Sequence, residues 1–173
     1  MSAVKRITLL RHAKAQQSAG EMADRDRPLN DRGRQDAPRM GRRLVAAGIR
    51  PSLIVTSPAT RALQTAQLVA REIGYPLEFL QREPDLYLAS PQEMLQVIAR
   101  QDNSFGDILL CGHNPGITGL ANQLTGAAID NVPTCGIVVV EAEITSWSRL
   151  GAGARLCLFD FPKAHDPQGS RND

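Results

Sequence analysis

The feature that most constrains the fold is an alternation of short apolar runs with longer amphipathic segments. Runs at Val4–Leu10, Leu53–Val55 and Asp107–Cys111 have the length of β-strands, and Leu77–Leu80 is a further candidate strand. The apolar residues of these runs are continuous rather than at every second position, and Leu53–Val55 is apolar throughout. We therefore expect strands that are buried on both faces, as in a parallel sheet.

The segments between these runs have the composition of helices. They lie at about Asp31–Ala47, Pro58–Ile73, Pro91–Gln101 and Pro115–Leu124. Pro38 lies inside the first segment and should kink or split that helix, because proline removes a backbone donor. Strands that alternate with helices imply right-handed crossovers and a parallel sheet.

The pattern changes toward the end of the chain. Gly136–Ala142 and Ala154–Phe161 both resemble strands, and the segment between them is too short for a crossover with a full helix. We expect an antiparallel pair at the edge of the sheet. The prediction is an α/β fold, a three-layer α/β/α sandwich with a mostly parallel central sheet and an antiparallel edge pair. One domain should span 1–163, and a flexible polar tail should follow at 164–173.

Composition narrows the class of protein. The 173 residues carry a net charge of +2 with no block of Lys or Arg, which argues against nucleic acid as a partner. No apolar run is long enough to span a membrane, and no signal peptide is evident. Cys111, Cys135 and Cys157 lie in or beside apolar runs, so we expect buried reduced thiols in a cytoplasmic protein, with Cys157 in the core. No exposed apolar stripe is evident, which predicts a monomer or a weak homodimer.

Polar side chains follow three of the predicted strands. Arg11 and His12 follow the first, Ser57 and Arg61 follow the second, and His113 follows the run that ends at position 111. Parallel strands place their carboxyl ends at one edge of the sheet, where open α/β sheets bind ligands. Each feature alone also fits an exposed surface residue or a plain helix start. The occurrence of polar residues after three strands at the same edge of the sheet favours a ligand-binding site.

Two of these strand ends also have the pattern of helix starts. Ser57 suits the N-cap and Pro58 the first helical position, and Asn114 and Pro115 repeat the arrangement. His113 would then lie beside a helix N-terminus, whose free N–H groups and dipole favour an anion.

Two histidines and two arginines around one point suit a phosphoryl group. Arginine binds phosphate oxygens in a bidentate way, and nearby cations keep a histidine neutral and able to attack phosphorus. Cys111 and His113 are a metal-ligating pair without a second pair at suitable spacing, so zinc is not expected. No Gly-rich phosphate loop or dinucleotide motif is present. We predict no metal and no cofactor.

Three motifs resemble the histidine phosphatase superfamily, which has a phosphoglycerate mutase-like fold. They are Leu10–Ala13, Ser57–Ala66 and Gly112–Gly116. The small size of the chain and the segments Asp26–Leu29 and Asp85–Leu88 are similar to the SixA-type phosphohistidine phosphatase branch. The resemblance extends from Val4 to about Lys163.

The resemblance implies roles for the matching residues. His12 would be the nucleophile and form a phosphohistidine intermediate, with its other ring nitrogen held by a backbone carbonyl of the following loop. Arg11 and Arg61 would hold the phosphoryl oxygens, His113 would donate to them, and Arg27 matches a further basic position. The predicted substrate-binding residues are Arg11, Arg61, His113, Arg27 and Ser57.

One departure from the family bears on the substrate. Many members that cleave phosphate monoesters carry a carboxylic acid that protonates the leaving alkoxide. Glu83, Asp85 and Glu93 are the candidates here, but none falls clearly at the acid position, and solvated loop charges are the better interpretation. An imidazole leaves more readily than an alkoxide, so the missing acid favours cleavage of P–N over P–O bonds.

The resulting hypothesis is a metal-independent phosphatase that acts on a phosphohistidine protein or on a small phosphate ester. A mutase of the same superfamily is an alternative, although mutases carry longer insertions over the pocket. A phospho-ligand binding module without catalysis is a second alternative.

Overall fold

The computed structural model describes residues 3–165 and contains one six-stranded sheet. The strands are β1 (Lys5–Arg11), β2 (Leu53–Thr56), β3 (Gln81–Arg82), β4 (Asp107–Gly112), β5 (Ile137–Ala142) and β6 (Arg155–Asp160). Their order across the sheet is β3-β2-β4-β1-β5-β6. The first four run parallel, whereas β5 is antiparallel to both β1 and β6. The predicted antiparallel edge pair is confirmed.

Helices cover both faces of the sheet and complete the three layers. They are α1 (Asp31–Ala46), α2 (Thr60–Ile73), α3 (Pro91–Ala99) and α4 (Gly116–Thr125). One apolar core joins α1 and α2 to side chains such as Leu10, Ile54 and Leu109. A second core joins α3 and α4 to the alternate side chains of the same strands, among them Leu9 and Leu110. Strands β1, β2 and β4 contribute side chains to both cores and are buried on both faces, as their apolar runs predict.

One local prediction was wrong and another was met only in part. The third strand is not Leu77–Leu80, because Leu77–Phe79 forms a short 3-10 helix and β3 begins only at Gln81. The hydroxyl of Tyr75 donates to the carbonyl oxygen of Phe79 and fixes that turn. Of the two outcomes predicted for Pro38, a kink or a split, the split does not occur, because α1 continues through this residue. Residues on either side of Pro38 are buried against the sheet and α2, and this packing maintains the helix.

The thiols are divided between the core and the surface. Cys111 and Cys135 are buried as predicted, but Cys157 is exposed, which corrects its placement in the core. It lies on β6, the outermost strand, whose first residues are open to solvent. Most of the predicted polar tail, 166–173, lies outside the described residues. Over residues 3–165, no helix has the length and apolar composition that crossing a membrane requires.

Candidate active site

The two histidines at the carboxyl edge of the sheet lie side by side because of strand register. In the parallel β1–β4 ladder, the last pair is Arg11 with Gly112. One step beyond it are His12 and His113, and the backbone N–H of His12 donates to the carbonyl oxygen of Gly112. Their ring centroids are 5.2 Å apart. The convergence that the strand ends predict is therefore present.

The His12 ring is held in one tautomer. Its Nδ1 lies 2.8 Å from the carbonyl oxygen of Ala13, which can only accept, so Nδ1 carries the proton. This is the backbone acceptor in the following loop that we predicted. The Nε2 atom consequently keeps its lone pair. Burial, and then the charges of His113, Arg61 and Arg11, lower the pKa of His12 to about 3, so the ring is neutral at physiological pH.

His113 has the complementary proton arrangement. Its Nδ1 lies 3.5 Å from a terminal nitrogen of Arg61, which can only donate. Its Nε2 therefore carries the proton and donates to the hydroxyl of Ser57 at 2.7 Å. Burial and the Arg61 charge lower the pKa of His113 to about 4.

Ser57 therefore has a different position from the one predicted. It is not the N-cap of α2, because the helix begins at Thr60 and Ala59 takes that place. The Ser57 hydroxyl is completely buried, accepts from the backbone N–H of Ala59 and contacts His113. It lies behind the imidazole rather than on the groove wall, where it orients His113.

The start of helix α4, at Asn114 and Pro115, also differs slightly from the prediction. Helix α4 begins at Gly116 rather than at Pro115. The side-chain oxygen of Asn114 nevertheless accepts from the backbone N–H of Thr118, in the first turn of α4. The predicted capping role of Asn114 is confirmed, with the helix starting one residue later.

The arginines lie around the same point. Arg61, in the first turn of α2, is 2% exposed, and its Nε–H is buried without a partner within residues 3–165. Arg11 extends from the end of β1 and donates to the carbonyl oxygen of Val132 at 3.0 Å. Arg27 donates to Asp24 at 3.1 Å and to the carbonyl oxygen of Gln16.

These side chains line an open groove with a volume of about 670 Å³. Its described wall includes Arg11, His12, Lys14, Asp24, Arg27, Asn30, Arg61, Leu88, His113, Asn114 and Thr134. Four of these are Lys or Arg, against one carboxylate. The groove is therefore cationic and suited to an anion with several oxygens.

The candidate acids that the sequence offered lie elsewhere. Glu83 and Asp85 are both paired with Arg100, at 3.2 and 3.1 Å. Glu93 accepts from the backbone N–H of Ser90 and completes the capping box of α3. None of the three is among the groove-lining residues given above. Their interpretation as loop charges fits these positions.

Asp24 and Tyr87 are site residues that the sequence did not single out. Asp24 accepts from Arg61 at 3.0 Å and from the Tyr87 hydroxyl at 2.5 Å. The hydrogen bond from Tyr87, followed by the bonds and charge of Arg61 and the bond from Arg27, lowers the pKa of Asp24 to about 2. Tyr87 lies within Asp85–Leu88, and Asp24 lies just before Asp26–Leu29. These two segments were noted only for their resemblance to the SixA-type branch, and that resemblance is the signal that could have identified both residues.

The site residues do not form a metal centre. Within residues 3–165, no three His, Cys, Asp or Glu side chains form a group that could hold a metal ion. Cys111 is buried, and burial raises the pKa of its thiol to about 12. The positive charge that an anion would meet comes from the Arg and Lys side chains that line the groove.

Comparison with known proteins gives the class. The sequence profile of the histidine phosphatase superfamily (branch 1) matches residues 7–86. The uncharacterized protein Rv1276c of Mycobacterium tuberculosis is 33% identical over 165 residues, covering 89% of this chain and all of that protein. The chain belongs to the histidine phosphatase superfamily, and within it to the SixA-type branch.

Solved structures agree with this placement. The SixA structure from Agrobacterium tumefaciens is 29% identical, has a TM-score of 0.77, and is matched over 91% of this chain and 98% of that one. A protein histidine phosphatase SixA complexed with tungstate shares the fold at 20% identity and a TM-score of 0.76, over 91% of this chain and 97% of that one. The protein is accordingly an enzyme of the phosphatase class.

Proposed function

We propose that this phosphatase removes the phosphoryl group from phosphohistidine side chains of a protein substrate, using His12 as the nucleophile. The lone pair of His12 Nε2 forms a bond to phosphorus while the bond from phosphorus to the substrate imidazole breaks. That electron pair stays on the departing nitrogen, and the imidazole leaves neutral if its other nitrogen carries a proton. Water then attacks phosphorus, the bond to His12 breaks, and phosphate is released.

The ring geometry of His12 supports this role. Its Nδ1–H is committed to the carbonyl oxygen of Ala13, so the free lone pair is on Nε2. The depressed pKa keeps the ring unprotonated, and the neighbouring cations bind the phosphoryl oxygens that the nucleophile approaches. In a metaphosphate-like transition state, such positioning and positive charge supply most of the catalysis.

Arginine and histidine donors can surround the transferred group. The guanidinium groups of Arg61 and Arg11 are donors on residues that line the groove. His113 Nδ1 accepts in the ligand-free protein. A phosphoryl dianion beside it raises the pKa of the ring, because a nearby negative charge favours the imidazolium form. Nδ1 of His113 then becomes a donor to the phosphoryl oxygens.

The observation that carries the choice of substrate is the state of the groove carboxylate. Among the described groove residues, Asp24 is the one carboxylate, and its pKa of about 2 keeps it ionised. It has no proton to give to a departing alkoxide. A protonated phosphoimidazole needs no such acid, because it leaves as a neutral ring. The likeness to SixA phosphohistidine phosphatases supports the same substrate class.

A labelling experiment tests the mechanism. Brief incubation with a ³²P-labelled phosphohistidine protein should give a phosphoenzyme that is labile to acid and stable to base. His12→Ala should abolish it, and full activity of that variant would exclude the mechanism. We expect EDTA to leave the rate unchanged, because guanidinium groups supply the positive charge.

A substrate panel tests the specificity. Phosphoramidate, a phosphohistidine peptide and p-nitrophenyl phosphate should be compared at equal enzyme concentration. We expect the two P–N compounds to react faster. A clear preference for the P–O ester would contradict the phosphohistidine assignment and favour a phosphomonoesterase.

A further inference from the structure

Two of the three hydrogen bonds described for the Arg61 guanidinium go to one residue outside its own helix, and the third goes to His113. One terminal nitrogen donates to the backbone oxygen of Asp24 at 2.8 Å, and the other donates to the Asp24 carboxylate at 3.0 Å. Arg61 is almost fully buried, whereas the Asp24 side chain is 47% exposed. Two bonds to two different atoms of Asp24 fix the plane of the guanidinium group.

Asp24 is itself held from two sides. The Tyr87 hydroxyl donates to the carboxylate oxygen that Arg61 uses, and Arg27 donates to the other oxygen. The Tyr87 ring also packs edge-on against His113, with centroids 5.6 Å apart. Tyr87 thus contacts the partner of one predicted phosphoryl-binding group and the ring of another. Four separate chain segments, which carry Asp24, Arg61, Tyr87 and His113, meet at this point.

We propose that Asp24 and Tyr87 are positioning residues, in which Asp24 orients Arg61 for the phosphoryl group and the Tyr87 hydroxyl holds Asp24 in place. The inference rests on the proposed function, in which Arg61 binds the phosphoryl oxygens. Neither residue exchanges a proton with the substrate. Asp24 stays ionised, and hydrogen bonding to it raises the pKa of the Tyr87 hydroxyl.

Charge alone would give Asp24 the opposite effect. A carboxylate beside an anion site repels the anion, so its removal should strengthen phosphate binding. If Asp24 positions Arg61, its removal should weaken phosphate binding despite the lost repulsion. The sign of the change therefore separates the two roles.

Asp26 provides a matched control for this test. It lies in the same 3-10 turn as Asp24, and its side chain is exposed. Asp24→Asn and Asp26→Asn remove the same charge from nearly the same place. Titration calorimetry with inorganic phosphate and with orthovanadate should show binding about tenfold weaker for Asp24→Asn, because the oriented guanidinium is lost. Asp26→Asn should stay within about twofold of the unsubstituted protein.

Tyr87→Phe isolates the second contact. The substitution keeps the ring against His113 and removes only the hydroxyl bond to Asp24. We expect phosphate binding to weaken about threefold in the parent protein and to remain unchanged in the Asp24→Asn background, since residues that act through one contact are not additive. With a phosphoramidate substrate, both single variants should lower kcat more than they raise KM.

Two results would overturn the inference. One is phosphate binding by Asp24→Asn that equals or exceeds binding by Asp26→Asn. The other is a Tyr87→Phe effect of the same size with and without Asp24. Binding of inorganic phosphate requires no turnover, so these outcomes are independent of which phospho-substrate the enzyme prefers. Failure of the phosphohistidine assay would leave the positioning result intact.

Discussion

The neutrality of His12 in mild acid is the sharpest prediction that the structure makes. An ordinary imidazole with a pKa of about 6.5 is only about 3% neutral at pH 5. His12, with a pKa of about 3, is almost entirely neutral there. The nucleophilic form should therefore persist in acid, whereas an exposed histidine would lose it about thirtyfold.

Because the pKa of His12 differs between the folded protein and the unfolded chain, the free energy of unfolding depends on pH. Below about pH 6.5, the unfolded chain binds a proton at His12 and the folded chain does not, so acid favours unfolding. The pKa of His12 is lower in the folded protein than in the unfolded chain. The stability associated with neutral His12 is therefore fully present above the unfolded pKa and is lost as the pH falls toward 3. Between pH 7 and pH 5, His12 alone should cost about 2 kcal/mol of unfolding free energy.

Two measurements test this prediction. The NMR signal of the His12 Cε1–H group, assigned by its loss in His12→Gln, should not titrate between pH 8 and pH 5. Urea unfolding of both proteins at pH 7 and pH 5 should show the parent losing about 2 kcal/mol relative to the variant. A titration midpoint at 6 or above, together with parallel pH dependences of stability, would refute the reasoning.

Three further predictions each concern the substitution of one residue. Ser57→Ala removes the hydroxyl that orients His113, so kcat should fall about tenfold while circular dichroism stays unchanged. Burial raises the pKa of Asp107 to about 6, which costs stability that grows as the pH rises from about 4, the pKa in the unfolded chain, to about 6. Asp107→Asn should therefore raise the melting temperature at pH 7.5, with a gain that shrinks as the pH falls to 4. A Cβ at Gly33 would lie 2.2 Å from the Lys14 carbonyl oxygen, so Gly33→Ala should destabilise the protein by about 2 kcal/mol in urea unfolding.

Most of the fold was predictable because it depends on periodic burial. The apolar runs of the parallel strands are buried from both faces, and such runs are visible in the sequence without any tertiary information. The predicted position of β3 was wrong because this strand has only two residues and follows an apolar turn. The prediction that Cys157 is buried was wrong because an edge strand can be apolar in sequence and still open to solvent.

The site was predictable where its residues follow strands and was missed where they lie in loops. His12 and His113 are placed by the β1–β4 ladder, and the apolar runs reveal its two strands although not their pairing. Asp24 and Tyr87 are placed by tertiary contacts between two loops, and neither loop has a periodic pattern. Ser57 was predicted in the neighbourhood but with the wrong partner, because capping preference is a local signal and His113 is distant in sequence.

The pairing of Arg11 with Gly112 also limits how a chain of this kind can diverge. Successive residues of a strand face opposite sides of the sheet, so one inserted or deleted residue inside β1 or β4 would turn one imidazole away from the other. The surface loops between β1 and β4 carry no such restriction, since insertions there leave the ladder unchanged. Relatives that retain the chemistry can therefore differ widely in loop length, and alignments that place gaps within either strand should be distrusted.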